Sequence, residues 1–328
     1  MPVIYEKRTY SLQVGQMTAL ATAYSDCSAA SSAPAIVVAS QAGGRHPALA
    51  FVASLLASLL TAAPGHAQVV PSGVTDPNFA HANSVVTAQR DGYTISGLVT
   101  HLRDVKVFKR GIALFPGYPG IMRLADDNGQ PRFDLRGNFL VRSRRHWLDA
   151  ETLVAVVDAP SDQWATFTQQ FRERPRYGTD VAALLKEISQ LYGVEDWTFA
   201  GTSEGSVSAF HAARMNPQLA RRTILTASLF QSTRNGPGLF AVAWAELAGP
   251  LLWAHHEDDP CAYTSYRDAR AFAQKSGKPL LTVRGGGPWR GAACEAFTAH
   301  GFAGVERETV NALHSWVKTG IVPPDVKP

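Results

Sequence analysis

What the chain lacks narrows it first. Its longest apolar run, Ala48 to Ala63, is about 16 residues, short of the roughly 20 that a membrane-spanning helix needs. No long basic stripe with interleaved aromatics occurs. The 31 Lys and Arg are scattered among 27 Asp and Glu, leaving a formal charge of +4, so the electrostatic footprint of a nucleic-acid-binding surface is missing. Beyond residue 68 there is no internal repeat, no low-complexity tract and no break in composition that calls for a second domain. Cysteine is scarce, three in 328 residues.

What is present fits one sizeable core: 45% of the residues are hydrophobic and 18% charged, enough for a single α/β domain of about 250 residues. The first part has another character. Arg45 and His46 precede the apolar run, and Pro64-Gly-His-Ala-Gln68 follows it with small residues where a signal peptidase reads. The expectation is an export signal, with its apolar stretch over about 48–63, cleaved after Ala67. Residues 1–67 then stand outside the fold and 68–328 form one catalytic domain in a periplasmic or secreted protein. A retained anchor is the alternative. No cysteine follows Ala67 directly, against lipid attachment, and Met1 to Gly44 is Ala- and Ser-rich without helical or strand period. Export leaves Cys261 and Cys294 as an even pair in an oxidising compartment, where a disulfide is expected. Two buried free thiols are the alternative.

From Val69 the segments alternate between strand-like and helix-like. Val85 to Leu98 and Asp104 to Leu114 read as antiparallel edge strands. Thr152 to Asp158 is an unbroken apolar run of the kind found in buried parallel strands. Asp180 to Tyr192 carries a helical stripe in Val181, Leu184, Leu185, Ile188 and Leu191. Trp197 to Ala200, Thr223 to Ser228, Gly249 to His255 and Pro279 to Val283 read as strands; Gly205 to Met215 and Gly304 to Lys318 read as helices. This rhythm predicts an α/β, doubly wound, mostly parallel sheet with helices on both faces and its reactive groups at the carboxyl ends of strands. Met122 to Trp147 and Phe230 to Leu247 are excursions with room for a pocket wall or small cap.

The chemistry centres on Gly201-Thr-Ser-Glu-Gly205, placed between a strand and a helix. In that setting G-x-S-x-G describes a sharp turn that exposes a serine hydroxyl above the sheet edge. A hydroxyl is a weak nucleophile at neutral pH and needs a base, which in turn needs an orienting group. Both follow in the chain order Ser, Asp, His. The acid lies in His255-His-Glu-Asp-Asp-Pro260 after a strand, with Asp259 preferred to Asp258 because it precedes proline. The base is His300, in a loop after the last strand; His314 falls inside a helix. Oxyanion donors are expected from the backbone N–H of Glu204 and from Leu114-Phe-Pro-Gly-Tyr-Pro-Gly120. There Tyr118 is the first choice and Gly117 the second, since Pro119 has no N–H.

Other features carry less. Residues 255–259 resemble a metal cluster, but neighbours leaving a strand diverge, so no metal is expected. Gly285-Gly-Gly287 reads as a bend. Arg142, Arg144 and Arg145 read as a solvated face, with binding of an anionic substrate group as the alternative. Trp147, Trp164 and Trp289 are candidates for a pocket lining or for packing.

Together the elbow, Pro116-Gly-Tyr-Pro-Gly120, His256-Glu-Asp-Asp-Pro260 and His300-Gly-Phe302 make the chain resemble the α/β-hydrolase superfamily over about residues 85–320. The resemblance implies Ser203 as nucleophile, Asp259 as acid and His300 as base, without a cofactor. It departs from the common pattern in placing Pro116 where many members carry a histidine, and in having little or no cap domain. A small-molecule ester is the expected substrate, with amides and thioesters open to the same machinery and a noncatalytic binding domain as the rival. Neither a nucleic-acid partner nor a stable membrane anchor is expected.

Overall fold

The strand Thr152–Val157 shows how the core is organised. All six residues are buried, and consecutive side chains alternate between two separate apolar clusters. Leu153, Ala155 and Val157 face one cluster; Val154 and Val156 face the other. A strand covered on both faces has no solvent side, which is why it reads as continuous apolar text and not as an alternation.

A computed structural model describes residues 81–240 and 242–327. The expected signal peptide and the residues before it lie outside the described part. Eight strands form the main sheet: β1 (His81–Arg90), β2 (Tyr93–Leu102), β3 (Arg110–Phe115), β6 (Thr152–Val157), β7 (Asp196–Thr202), β8 (Ala220–Thr226), β9 (Leu251–His256) and β10 (Leu280–Val283). Their order is β1-β2-β6-β3-β7-β8-β9-β10. The β1–β2 and β2–β6 pairs are antiparallel and every other pair is parallel. A short hairpin, β4 (Ala125–Asp127) with β5 (Gln130–Arg132), stands apart.

Helices cover both faces. On one lie α3 (Pro175–Tyr192), α4 (Glu204–Met215) and α5 (Tyr266–Ser276), through Leu184, Ile188, Val207, Phe210 and Phe272. On the other lie α1 (Phe139–Ser143) and α6 (Glu306–Thr319), through Phe139, Leu140, Leu313 and Trp316. A four-residue helix, α2 (Gln169–Arg172), precedes α3. The chain winds from β3 out to β6 and back across to β7, so β3 has β6 on one side and β7 on the other. That reversal opens a crevice above the carboxyl ends of β3 and β7, where doubly wound sheets place their sites. The expected α/β class, parallel sheet and two-faced helical cover are all present.

One strand assignment is corrected. The expectation of two antiparallel edge strands over 85–98 and 104–114 fails for the second. A hairpin turning at Asp91-Gly92 forms β1 and β2, while β3 begins at Arg110 and runs parallel in the sheet interior. The charged residues Arg103, Asp104, Lys106 and Lys109 belong to the exposed connection, and only Gly111 to Phe115 is buried strand. Neither excursion, 122–147 nor 230–247, builds a separate helical cap among the described residues.

Candidate active site

Ser203 occupies the junction between β7 and α4 at φ 53° and ψ −127°. A non-glycine residue there carries strain of about 1–3 kcal/mol, held in place by the surrounding structure. The glycines explain how the turn fits: a Cβ on Gly201 would strike the Gly205 backbone and Ala209, and one on Gly205 would strike the carbonyls of Phe115 and Pro116. Ser203 N–H donates to Thr226 O at 3.1 Å, and its carbonyl accepts from Ser206 N at 2.9 Å and Ser206 Oγ at 2.6 Å. The residue is half-buried, so the side chain has access to solvent. Among the described residues, none forms a hydrogen bond with Ser203 Oγ.

The loop after β3 runs against this elbow. A Cβ on Gly117 would lie 3.1 Å from Ser203 Cβ and 3.2 Å from Thr202 O. Gly120 N–H donates to Gly117 O at 2.8 Å, closing a tight turn over 117–120. Glu204 opens α4, and the N–H groups of a first helical turn have no partner within their helix. The two segments expected to supply oxyanion donors therefore flank Ser203.

Asp259 and His300 come together from loops 41 residues apart. Asp259 Oδ2 receives His300 Nδ1 at 3.1 Å and Thr264 Oγ1 at 2.8 Å; its Oδ1 receives the Cys261 N–H at 2.9 Å. Thr264 Oγ1 also lies 3.1 Å from His300 Nδ1. The Asp259 side chain is fully buried. The His300 backbone N–H donates to Thr298 Oγ1 at 3.1 Å. Cys261 and Cys294 form a disulfide with 4.6 Å between Cα atoms, joining the acid loop to the histidine loop. Asp258 takes part only through its backbone N–H, which donates to His256 Nδ1 at 3.1 Å.

Residues 255–259 diverge, as expected of neighbours leaving a strand. His255 Nε2 accepts from the Ser228 N–H at 2.9 Å, His256 Nε2 donates to Gly285 O at 2.8 Å, and Glu257 pairs with Arg284 at 2.8 Å. Burial pulls His255 down to about 4, so it is neutral at physiological pH.

The expected solvated arginine face is corrected. Arg142 donates to Gly137 O and Gly301 O and pairs with Glu306 at 2.8 Å, which ties the histidine loop to α1 and α6. Arg144 donates to Thr100 Oγ1 and Val141 O, and burial lowers it to about 10. Only Arg145 is exposed. These cations are consumed by the fold because partners elsewhere in the chain reach them, which spacing alone does not reveal. Trp147 is fully buried packing against His314, whereas Trp289 is exposed with its ring edge on His256. Tyr118, Tyr263 and Phe297 are also exposed, on the loops after β3, β9 and β10.

Sequence reasoning missed a buried polar group behind the elbow. Arg172, fully buried, donates to Glu204 O at 3.3 Å, Ser208 Oγ at 2.7 Å, Pro119 O at 3.1 Å and Phe167 O at 3.1 Å. The Glu204 carboxylate receives Gln169 Nε2 at 3.2 Å and lies 3.9 Å from Arg172, an ion pair too long for a hydrogen bond. Burial lowers the guanidinium pKa and the Glu204 charge opposes that shift. Asp158 is a second missed anchor. It accepts the N–H groups of Met122, Leu124 and Ala159 at 2.6–2.8 Å, and burial raises it to about 6.

Among the described residues, no group of three His, Cys, Asp or Glu side chains is disposed to hold a metal ion, and no helix is long and apolar enough to cross a membrane.

With sheet order, elbow and acid–histidine pair in place, the architecture is the α/β-hydrolase fold. A cold-adapted esterase from an Arctic intertidal metagenomic library is a structural neighbour with a TM-score of 0.50 and 13% identity; the match covers 73% of this chain and 96% of that one. Est1E from Butyrivibrio proteoclasticus matches with a TM-score of 0.49 and 13% identity over 72% of this chain and 98% of its own. No protein-family model and no curated protein sequence matches the chain.

Proposed function

We propose that this chain is an exported serine hydrolase that cleaves carboxylic esters. The observation that carries the reading is Ser203 at positive φ in a strand-to-helix elbow, on the same sheet edge as a hydrogen-bonded Asp259–His300 pair. Asp259 accepts from Nδ1, which leaves Nε2 of a neutral imidazole free to take a proton. As Ser203 Oγ bonds to the acyl carbon, its proton passes to His300 Nε2. The developing oxyanion meets the N–H groups of Glu204 and Tyr118. The intermediate collapses by breaking the C–O bond to the alcohol, which leaves with the proton from His300. Water, deprotonated by His300, then releases the acid and restores Ser203.

The bond between Ser203 Oγ and His300 forms in this proposal when substrate excludes water, since catalytic hydrogen bonds of free enzymes are often loose. Ester as the substrate class draws support from the likeness to the cold-adapted esterase and from exposed aromatic side chains on the surrounding loops. Export to an oxidising compartment draws support from the Cys261–Cys294 bridge. A fluorophosphonate probe tests the reading: the disulfide-intact protein is expected to be labelled on Ser203 and Ser203→Ala to resist labelling. No labelling of the folded protein, or labelling that survives Ser203→Ala, overturns it.

A further inference from the structure

We infer that Arg172 is a positioning residue that aims the Tyr118 N–H at the oxyanion, an inference that rests on the serine-hydrolase reading above. The argument follows peptide planes. Arg172 Nη2 donates to the Pro119 carbonyl at 3.1 Å. That carbonyl shares a peptide unit with the Gly120 N–H, which donates to Gly117 O at 2.8 Å. The Gly117 carbonyl in turn shares a peptide unit with the Tyr118 N–H. One guanidinium therefore fixes and polarises two hydrogen-bonded peptide units, 119–120 and 117–118, the second of which ends in the expected donor. Hydrogen bonds linked head to tail in a low-dielectric interior strengthen one another.

The other side of the same fork holds the elbow. Nη1 donates to Glu204 O and to Ser208 Oγ, both on the first turns of α4. Glu204 is also the residue whose N–H supplies the other expected donor. The planar guanidinium thus spans the oxyanion loop and the nucleophile helix, and sets the distance between the two donors. Gly120 permits the approach, since a Cβ there would lie 3.0 Å from Arg172 Nη2 at φ +73°. A fully buried charge is costly unless compensated. Here the compensation comes from four oxygens and the Glu204 carboxylate, all from the two segments that flank Ser203 apart from Phe167 O. A lysine cannot reproduce a rigid fork aimed at carbonyls on both sides.

The experiment uses Arg172→Lys and Ser208→Ala in the full, disulfide-intact protein. Active sites are counted by stoichiometric fluorophosphonate labelling, and kcat and KM for p-nitrophenyl butyrate are expressed per labelled site. Inhibition by phenylboronic acid, whose tetrahedral adduct on Ser203 puts an oxygen where the oxyanion develops, reads the donors directly. Because losing one oxyanion donor costs about 10²–10³ in kcat, a misaimed donor in Arg172→Lys is expected to lower kcat about 10–100-fold. KM stays within about twofold, and the boronic acid Ki rises by the factor that kcat falls. Ser208→Ala is expected to move both quantities the same way, several-fold. A folded Arg172→Lys with wild-type kcat per labelled site overturns the inference, even if it melts earlier. If Arg172→Lys does not fold, wild-type kcat and Ki in Ser208→Ala overturn it. Failure of the hydrolase reading is distinct, because the wild-type protein is then not labelled at Ser203.

Discussion

The proposed site has two halves, one with the nucleophile and one with the acid–base pair, and they are held by different means. The nucleophile half, Ser203 with the loops after β3 and β7, is fastened from below. Its glycines pack backbone against backbone, and a fully buried guanidinium joins its parts. The acid–base half, Asp259 and His300, is fastened from the side by a disulfide, one of whose cysteines is exposed, and by hydrogen bonds through Thr264. The strained serine requires a rigid frame, and the core supplies it. In the proposed mechanism the imidazole moves a proton and meets Ser203 only when substrate is present, and loops clipped at two points allow that.

The largest effects test whether the halves act as one machine. Ser203→Ala and His300→Ala are each expected to lower kcat by about 10⁶, and the double variant no further, because residues that act as a unit are grossly non-additive. Steady-state rates on a p-nitrophenyl ester give the answer, and additive losses would mean the halves work independently. Asp259→Asn is expected to cost about 10⁴, since it reverses the tautomer of His300 while leaving the geometry in place.

Acid acts with opposite sign on two buried groups, His255 beneath the acid–base loop and Asp158 beside the oxyanion loop. His255 lies beneath the acid–base loop with its pKa lowered to about 4, so its contribution is present above the unfolded value near 6.5 and is lost as pH falls toward 4. His146, His211 and His314 are lowered to about 4 by the same cause, burial. Asp158, which anchors the chain after the oxyanion loop, is raised to about 6; its contribution is present below about 4 and lost as pH rises through 6. Between about pH 6 and 4 the unfolded chain holds four extra histidine protons against one extra on folded Asp158. The net three protons set an upper limit of about 4 kcal/mol lost per pH unit. Urea midpoints at pH 7 and 5 measure it. Native-state hydrogen exchange is expected to open β9 on acidification and the Met122 and Leu124 amides on alkalinisation. Equal response of both segments would erase the contrast.

Removing the clip is a smaller change. The Cys261→Ser/Cys294→Ser variant opens a loop with a sequence separation of 33, for which loop-closure entropy gives about 3–4 kcal/mol of lost stability. Thermal unfolding reads this, and the effect on kcat at a temperature where the variant stays folded reports whether the bridge also positions His300. A fall in kcat without a fall in KM would show that it does.

The contrast also explains what was legible in the sequence. The elbow stood out because its requirements are local: two glycines and a serine within five residues, between an apolar run and a helix of small residues. Asp259 and His300 were findable because chain order and strand ends restrict where an acid and a base can stand. The start of β3 is hard to read because its apolar part is only Gly111 to Phe115, and the charged connector before it carries Val105 and Val107 at strand-like spacing. Arg172 left no trace at all. In Phe171-Arg-Glu-Arg-Pro175 nothing separates the buried Arg172 from the exposed Arg174, because burial is decided by Pro119, Glu204 and Ser208, tens of residues away.

The finest test concerns Thr264, which touches both members of the acid–base pair. Its hydroxyl has one proton, and Asp259 Oδ2, at 2.8 Å, is the stronger acceptor, so the hydroxyl donates there. Its oxygen can then accept part of the His300 Nδ1–H at 3.1 Å, making that bond three-centred. Thr264→Val keeps the shape and removes one donor to a buried carboxylate, a loss of about 1.5–3 kcal/mol of stability. Activity responds less. With the hydroxyl gone, the Nδ1–H of His300 is held by Asp259 Oδ2 alone, and kcat for a p-nitrophenyl ester is expected to fall only several-fold. Wild-type kcat, with stability lost, would make Thr264 a packing residue and leave the Asp259–His300 bond alone responsible for holding the base.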